Sequence, residues 1–138
     1  MNDEFLQWLR EQLDDDERTA RAVGSEQWHP RYVDSANDQP DTATVSLPDG
    51  SDVAVMERYS YADAEHIARH DPARVLAEVE AKRGVLRQYI DLREQVRNPV
   101  SAENRSRARA LQGEIGDILR LLALPYADRP GYRDEWRP

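Results

Sequence analysis

The chain has 138 residues, no cysteine and a formal net charge of −8 at pH 7. A domain of this length buries about two thirds of its unfolded surface and folds without a metal or a disulfide, and the absence of cysteine excludes disulfides, thiolate zinc sites and cysteine nucleophiles. No apolar run approaches ~18 residues, so no helix is expected to span a membrane, and the acidic start is not a signal peptide. We therefore expect a cytoplasmic protein.

The first element is a helix over residues 3–23. Its apolar residues follow the three-and-four spacing of one helical stripe, which comprises Phe5, Leu6, Leu9, Leu13, Ala20 and Val23. Asn2 or Asp3 can cap its start, and Gly24 can end it in the left-handed conformation.

Residues 25–58 change to the pattern of a small antiparallel sheet. The segments 42–47 and 52–57 alternate between apolar and polar residues on either side of Pro-Asp-Gly-Ser, which predicts a β-hairpin. A lone hairpin is marginally stable in water, so residues 28–33 are the expected third strand. His29-Pro30 confines that strand to an edge, and residues 34–42 form a loop.

A short helix is predicted over residues 60–70, with Ser60 as its N-cap. Asp71-Pro72 interrupts it, because proline biases the preceding residue away from helical dihedrals and Asp71 can cap a new helix. The new helix runs to about Arg97, where Asn98-Pro99 ends it. Its expected seam, with the two arginines on the flank, comprises Leu76, Val79, Arg83, Leu86, Ile90, Arg93 and Val96.

A last helix is predicted over residues 102–124, with Ser101 as its cap. Its expected buried stripe comprises Leu111, Ile115, Ile118, Leu119 and Leu122, and Gly113 and Gly116 lie inside it. Because the linker to the preceding helix is short, the two should lie antiparallel. Residues 125–138 contain Pro125, Pro130 and Gly131, which predicts an extended tail.

These elements predict an α+β fold. A long antiparallel helical hairpin and an N-terminal helix accompany a small antiparallel sheet of about three strands. The expected organisation is a single domain, 1–138. It is divided into the N-terminal helix (1–24), the sheet (25–58), the helices (59–124) and the aromatic tail (125–138).

His66 and His70 form the only pair with the spacing of a metal-binding clip. Four residues apart on the short helix, both imidazoles project from one face. Zinc or another divalent metal needs three or four ligands, and His29, Asp63, Glu65 or Asp71 could complete the set, although the sequence does not place any of them there. The plainer alternative is that one histidine bonds a helix end and the other packs. Position 67 is isoleucine, so the HExxH motif of metalloproteases is absent.

No other motif combines the groups that catalysis needs. The chain has no G-x-S-x-G, no Walker-type loop and no G-x-G-x-x-G. Arg105, Arg107 and Arg109 could touch phosphate, but no aromatic residue lies between them for base stacking. A solvated helix start is the plainer interpretation of these arginines.

The tail is rich in aromatic residues that could bind a partner. Tyr126, Tyr132 and Trp136 lie within its 14 residues, and tyrosine and tryptophan are common anchors at interfaces. The alternative is a structural strap that folds back over the helices and closes their core.

Charge is unevenly distributed along the chain. Residues 1–58 hold 14 acidic and 5 basic residues (−9), whereas residues 59–138 hold 13 and 14 (+1). The front half should repel nucleic acid and could attract a basic protein partner. Acidity that only maintains solubility is the plainer interpretation.

Two long segments resemble a known family. HIARHDPARVLAEVEAKR (66–83) and LRLLALPYADRPGYRDEW (119–136) are similar to small actinobacterial and phage-borne proteins that share a domain of unknown function. FLQWLREQLDDDERTAR (5–21) and Trp28-His29 also fit. The resemblance implies a bacterial or phage intracellular protein and supplies no catalytic residues. Some members have cysteines before the segment that matches 119–136, and this chain has none.

The sequence therefore favours a non-enzymatic interaction, accessory or regulatory protein with an unknown protein partner. One alternative is a metal-dependent hydrolase that uses the His-x-x-x-His pair. A second alternative is an acidic mimic of nucleic acid, which requires carboxylates spaced like phosphates on one surface. The sequence leaves the oligomeric state open.

Overall fold

The computed structural model describes residues 2–24, 27–33, 42–57 and 61–138. Within these residues the chain forms four α-helices and a three-stranded antiparallel sheet, which confirms the predicted α+β class. The elements in chain order are α1 (Asp3–Val23), β1 (His29–Val33), β2 (Thr42–Ser46), β3 (Asp52–Glu57), α2 (Tyr61–Ala68), α3 (Pro72–Arg97) and α4 (Ala102–Ala123).

The long helices α1, α3 and α4 begin and end within one residue of the positions that the sequence indicates, whereas α2 ends at Ala68, two residues before its predicted end. The side-chain oxygens of Asn2, Asp71 and Ser101 accept hydrogen bonds from the backbone N–H three residues later, at 3.0, 2.7 and 3.0 Å. Each bond satisfies a donor that the first helical turn leaves unpaired. Gly24 follows α1 with φ 110°, the left-handed conformation that glycine adopts freely. The predicted cap Ser60 lies outside the described residues.

The sheet has the order β1-β2-β3 with both pairs antiparallel. The register pairs His29 with Ser46 and Val33 with Thr42, and it shifts between Val45 and Ser46 where β2 meets β3. The turn between β2 and β3 contains Gly50 at φ 88°. The predicted loop lies outside the described residues, apart from Thr42, which begins β2.

The chain contacts group into two compact units. The first unit comprises Met1–Asp16 and Glu78–Pro138, and the second comprises Glu17–Ala77. The single domain expected from chain length stays a prediction. In the second unit, α2 packs on the sheet through Ala43, Val45, Ala64 and Ala68.

The core of the first unit is formed by α1, α3, α4 and the C-terminal segment. Phe5, Leu6, Leu9 and Leu13 of α1 are each at most 2% exposed, which confirms the first part of the predicted stripe. Val23, in the last turn of α1, is 55% exposed, so its predicted burial is wrong. Residues from the other elements that are buried with them are Val79, Leu86, Tyr89, Leu92, Ala108, Leu119, Ala123, Tyr126 and Trp136.

The predicted buried faces of α3 and α4 are partly wrong. Leu111 and Ile118 of α4 are 38% and 42% exposed, and small residues (Ala108, Gly116 and Ala123) are buried beside Leu119 instead. Small side chains allow a helix to approach its neighbours closely, and this turns the larger residues outward. On α3, Tyr89 and Leu92 are buried beside the expected Val79 and Leu86.

The C-terminal segment also differs from the predicted extended tail. It contains two single-turn 3-10 helices, Leu124–Tyr126 and Asp134–Trp136. Pro125 occupies the start of the first turn, where its fixed φ is favourable and its missing N–H is not needed. Proline therefore ends α4 without preventing a further short turn. Within the described residues, no helix is both long and apolar enough to cross a membrane.

Candidate functional site

The histidine pair lies on the surface of the second unit. His66 is in α2 and His70 follows its last turn, with their ring centroids 4.5 Å apart. Both residues are exposed. His70 Nδ1 is 2.8 Å from the His66 carbonyl oxygen. Because a carbonyl only accepts, Nδ1 must carry the proton, and Nε2 is the ring nitrogen that could bind a ligand.

The third predicted ligand, His29, lies at the exposed start of β1 in the same unit. Across the described part of the chain, no three histidine, aspartate or glutamate side chains are grouped closely enough to hold a metal ion. The nearby Asp71 accepts hydrogen bonds from Arg74 N and Trp28 N, which gives it a structural role. Zinc binding by His29, His66 and His70 stays a prediction.

The aromatic residues of the C-terminal segment pack against α1. Tyr126 and Trp136 are 3% and 5% exposed, and the Trp136 ring lies 5.4 Å from the rings of both Phe5 and Trp8. Trp8 Nε1 donates to the Pro130 carbonyl at 3.0 Å. The segment thus lies as a strap over α1. Binding of a partner by Tyr126, Tyr132 and Trp136 stays a prediction, and the buried rings would have to leave α1 first.

Tyr126 is the centre of a polar network in the first unit. Lys82 Nζ donates to the Tyr126 hydroxyl at 2.9 Å, and the hydroxyl donates to Asp16 at 2.8 Å. Arg129 bonds the other Asp16 oxygen at 2.6 Å and stacks over the Tyr126 ring. Burial, followed by the hydrogen bond to Asp16 and its negative charge, raises the pKa of Tyr126 well above its ordinary value.

Four of the seven acidic residues of α1 form close ion pairs with arginines from later in the first unit. The pairs are Asp3 with Arg93, Glu4 with Arg133, Asp14 with Arg83 and Asp16 with Arg129. The hydrogen bond from Arg93 lowers the pKa of Asp3 below its ordinary value. These carboxylates are therefore used inside the first unit and do not form an open row of negative charge.

One flank of α4 is apolar and exposed, and the sequence analysis missed it. Leu111, Ile118 and Leu121 are 38%, 42% and 54% exposed and lie on one side of the helix at a spacing of seven and three residues. Arg107 and Glu114 lie on the same side, and neither forms an ion pair within the described residues. We call the side formed by these five residues the α4 flank. The sequence predicted Leu111 and Ile118 of this flank to be buried, because exposed and buried apolar residues of a helix recur with the same period.

The fold and its candidate sites define a small α+β protein with an arginine-paired acidic helix, an aromatic strap and an exposed histidine pair. The chain belongs to a family described as "Family of unknown function (DUF6221)", whose model matches residues 2–138. No curated protein and no solved structure matches the chain significantly.

Proposed function

We propose that this protein is a non-enzymatic interaction protein, and that the α4 flank binds the same flank of a second copy. The observation that carries the proposal is the exposed apolar stripe of Leu111, Ile118 and Leu121. The chain is otherwise very polar, with a mean hydropathy of −0.87. Exposed apolar residues grouped on one side of a helix in such a polar protein are consistent with an interaction site.

The order of charges along the flank favours a second copy as the occupant. In an antiparallel pair with a two-fold axis between Ala110 and Leu111, Arg107 of each copy faces Glu114 of the other. The same axis brings Leu121 of one copy toward the start of α4 in the other, where Val100, just before the helix, is 92% exposed. An isologous interface needs this kind of self-complementary surface. One helix pair buries less area than a standard interface, so the dimer should be weak.

Analytical ultracentrifugation over about 1 µM to about 1 mM protein tests this proposal. We expect a reversible monomer–dimer equilibrium that Ile118→Glu abolishes. Val53→Glu is the matched control, because Val53 is 37% exposed and lies in β3, and it should leave the equilibrium unchanged.

Reciprocal charge variants test the orientation of the pair. Arg107→Glu and Glu114→Arg should each weaken the dimer, because each places like charges opposite one another. The double variant should restore it, since the exchanged charges face each other again. A monomer at all concentrations, or a double variant weaker than either single variant, contradicts the proposal.

A metal-dependent hydrolase is the second candidate, and the 4.5 Å separation of the His66 and His70 rings favours it. Zinc would need a third ligand, and His29, which is not grouped with the pair in this structure, would have to move toward it. Elemental analysis of protein purified without a histidine tag tests the idea. Less than about a tenth of an equivalent of metal after purification rules out a resident metal.

The acidic mimic of nucleic acid is the least supported alternative, because four of the acidic residues of α1 are paired with arginines. We also propose a cytoplasmic location and an actinobacterial or phage origin. Both rest on the family resemblance of the two signature segments, 66–83 and 119–136. An accessory or regulatory role for the dimer is part of the same proposal.

A further inference from the structure

The side of α4 opposite to its apolar flank forms a polar trough against α3. The trough has a volume of about 320 Å³ and is lined by Tyr89, Arg109, Gln112, Gly113, Gly116, Asp117 and Arg120. This volume is at the lower end of the range for small-molecule sites. Lining residues of α4 recur every three or four positions, so they form one continuous side of the helix.

Glycines form the floor of the trough. A Cβ built at Gly113 would meet no atom within 4 Å, so no neighbouring side chain occupies the space above this residue. Gly116 is buried on the same side. A ligand can therefore lie directly against the helix backbone between the two charged ends.

An arginine lies toward each end of the trough. Arg109 is exposed and forms no ion pair within the described residues. Arg120 is 35% exposed and only loosely paired, 3.6 Å from Asp117. Their Cα atoms are about 16 Å apart along the helix, at 1.5 Å per residue. The guanidinium group matches the planar carboxylate with two parallel hydrogen bonds.

The middle of the trough offers the uncharged hydrogen-bonding groups of Gln112 and Tyr89, and the carboxylate in its lining, Asp117, lies 3.6 Å from the Arg120 guanidinium, which offsets its charge. Gln112 Nε2 donates to the Tyr89 hydroxyl at 3.2 Å, and Tyr89 is 4% exposed. Because the hydroxyl oxygen is the acceptor in this bond, its own proton remains available to a ligand. A buried tyrosine hydroxyl that still has a donor to offer is a typical polar group of a small-molecule site.

We infer that this trough binds a small dicarboxylate, with one carboxylate at Arg109, the other at Arg120 and the carbon chain over Gly113 and Gly116. The site lies on the other side of α4 from the flank proposed for self-association, so the two proposals stand independently. Both can be tested on the same full-length chain.

Two-dimensional NMR of the labelled full-length chain tests the inference. The probes are succinate, the monocarboxylate butyrate and inorganic phosphate, each added at constant ionic strength. Succinate should shift the amide resonances of residues 109–120 and of Tyr89 in a saturable manner, whereas butyrate should bind at least about tenfold more weakly, since it loses one charge-assisted contact. Equal binding of butyrate, or shifts with phosphate alone, would overturn the inference.

Substitutions of the lining residues test whether succinate binds in the trough. Arg109→Gln and Arg120→Gln should each lower the affinity for succinate about tenfold, because each removes a charged hydrogen-bond donor. Gly113→Leu should abolish binding by filling the floor, and leucine at this helical position favours the fold. Arg105→Gln is the matched control. Undiminished binding in Gly113→Leu, or no saturable shift in the native chain, would refute the site.

Discussion

Asp71 has two structural roles at one position. Its Oδ1 accepts a hydrogen bond from Arg74 N at the start of α3, and its Oδ2 accepts one from Trp28 N at 3.3 Å. Only 9% of the residue is exposed. The sequence predicted the cap from Asp-Pro, because capping is local. The bond to Trp28 joins positions 43 residues apart, and no local pattern reports such a contact.

Replacing Asp71 by alanine should therefore cost more than the loss of a simple cap. We expect Asp71→Ala to lower the free energy of unfolding by about 2 kcal/mol, and the isolated cap variant Ser101→Ala to lower it by about 1 kcal/mol. Urea unfolding followed by circular dichroism measures both. Equal costs would show that the bond to Trp28 contributes nothing.

Gly131 is held in a conformation and a space that favour glycine. Its φ is +85°, and a Cβ there would lie 3.1 Å from Trp8 Cδ1. Gly50 has a similar φ of +88° with no atom within 4 Å of its Cβ position. A side chain at either glycine would therefore strain the backbone to a similar extent, but only at Gly131 would it also collide with Trp8.

Alanine at both positions separates these effects. Gly50→Ala should lose about 1 kcal/mol of stability from backbone strain alone. Gly131→Ala should lose more, because the strap must also shift away from Trp8. Thermal unfolding of both variants measures the difference, and equal losses would contradict tight packing of the strap on α1.

At the scale of elements, Tyr126 connects α1, α3 and the strap through Asp16 and Lys82. The pKa of this tyrosine is raised by burial and by Asp16. In the unfolded chain it would ionise near pH 10. The native state therefore holds one more proton above that pH, and linkage requires stability to fall as pH rises. The contribution is complete below about pH 10 and is lost progressively above it.

Two measurements follow from the raised pKa of Tyr126. Tyrosinate absorbance should show that Tyr126 ionises only at a higher pH than a tyrosine with the ordinary pKa, or on unfolding. Tyr126→Phe should be less stable at pH 7, because Asp16 and Lys82 lose a partner, and its stability should fall less steeply above about pH 10. A parallel decline in native and variant proteins would mean that Tyr126 does not control this pH range.

The sequence pattern predicted where the helices begin and end better than it predicted which of their faces are buried. α3 was predicted over 72–97 and α4 over 102–124, and both are within one residue of the observed ends, because proline, glycine and capping residues act locally. The buried faces depend on the neighbouring helices. Ala108 and Gly116 allow close packing of α4 and turn Leu111 and Ile118 outward. The α4 flank therefore could not be distinguished from core by its period.

The trough was beyond sequence reasoning for a related reason. The sequence indicates Arg105, Arg107 and Arg109 as one basic cluster. Of these three only Arg109 lines the trough, and the second arginine of the trough is Arg120, eleven residues later. Tyr89 belongs to α3, so its approach to Gln112 depends on the pairing of two helices. Gly113 and Gly116 were the one local signal, since glycine inside a helix usually marks a close approach.

At the scale of the whole molecule, the uneven charge of the sequence has a structural explanation in the first unit. α1 contributes acids early in the chain, and α3 and the strap contribute arginines that pair with them late in the chain. Exposed ion pairs of this kind each contribute about 0–1 kcal/mol and weaken in salt. The contribution of each ion pair to the free energy of unfolding should therefore be larger when its side chains are more buried.

Arg129 and Arg137 provide a direct comparison. Arg129 is 33% exposed, bonds Asp16 whose side chain is 19% exposed, and stacks over Tyr126 at 4.7 Å. Arg137 bonds Asp134, which is 91% exposed. We expect Arg129→Gln to lower the free energy of unfolding by about 1–2 kcal/mol. Arg137→Gln should lower it by less than about 0.5 kcal/mol.

Salt distinguishes the two arginines further. In 1 M salt the Debye length falls to about 3 Å, so the small effect of Arg137→Gln should vanish. The effect of Arg129→Gln should largely persist, because Asp16 and the Tyr126 ring shield the guanidinium from counterions. Urea unfolding of both variants at low and high salt measures this. If both effects disappear together, the charges of α1 act only as a screened surface field, and the strap is held by its aromatic residues alone.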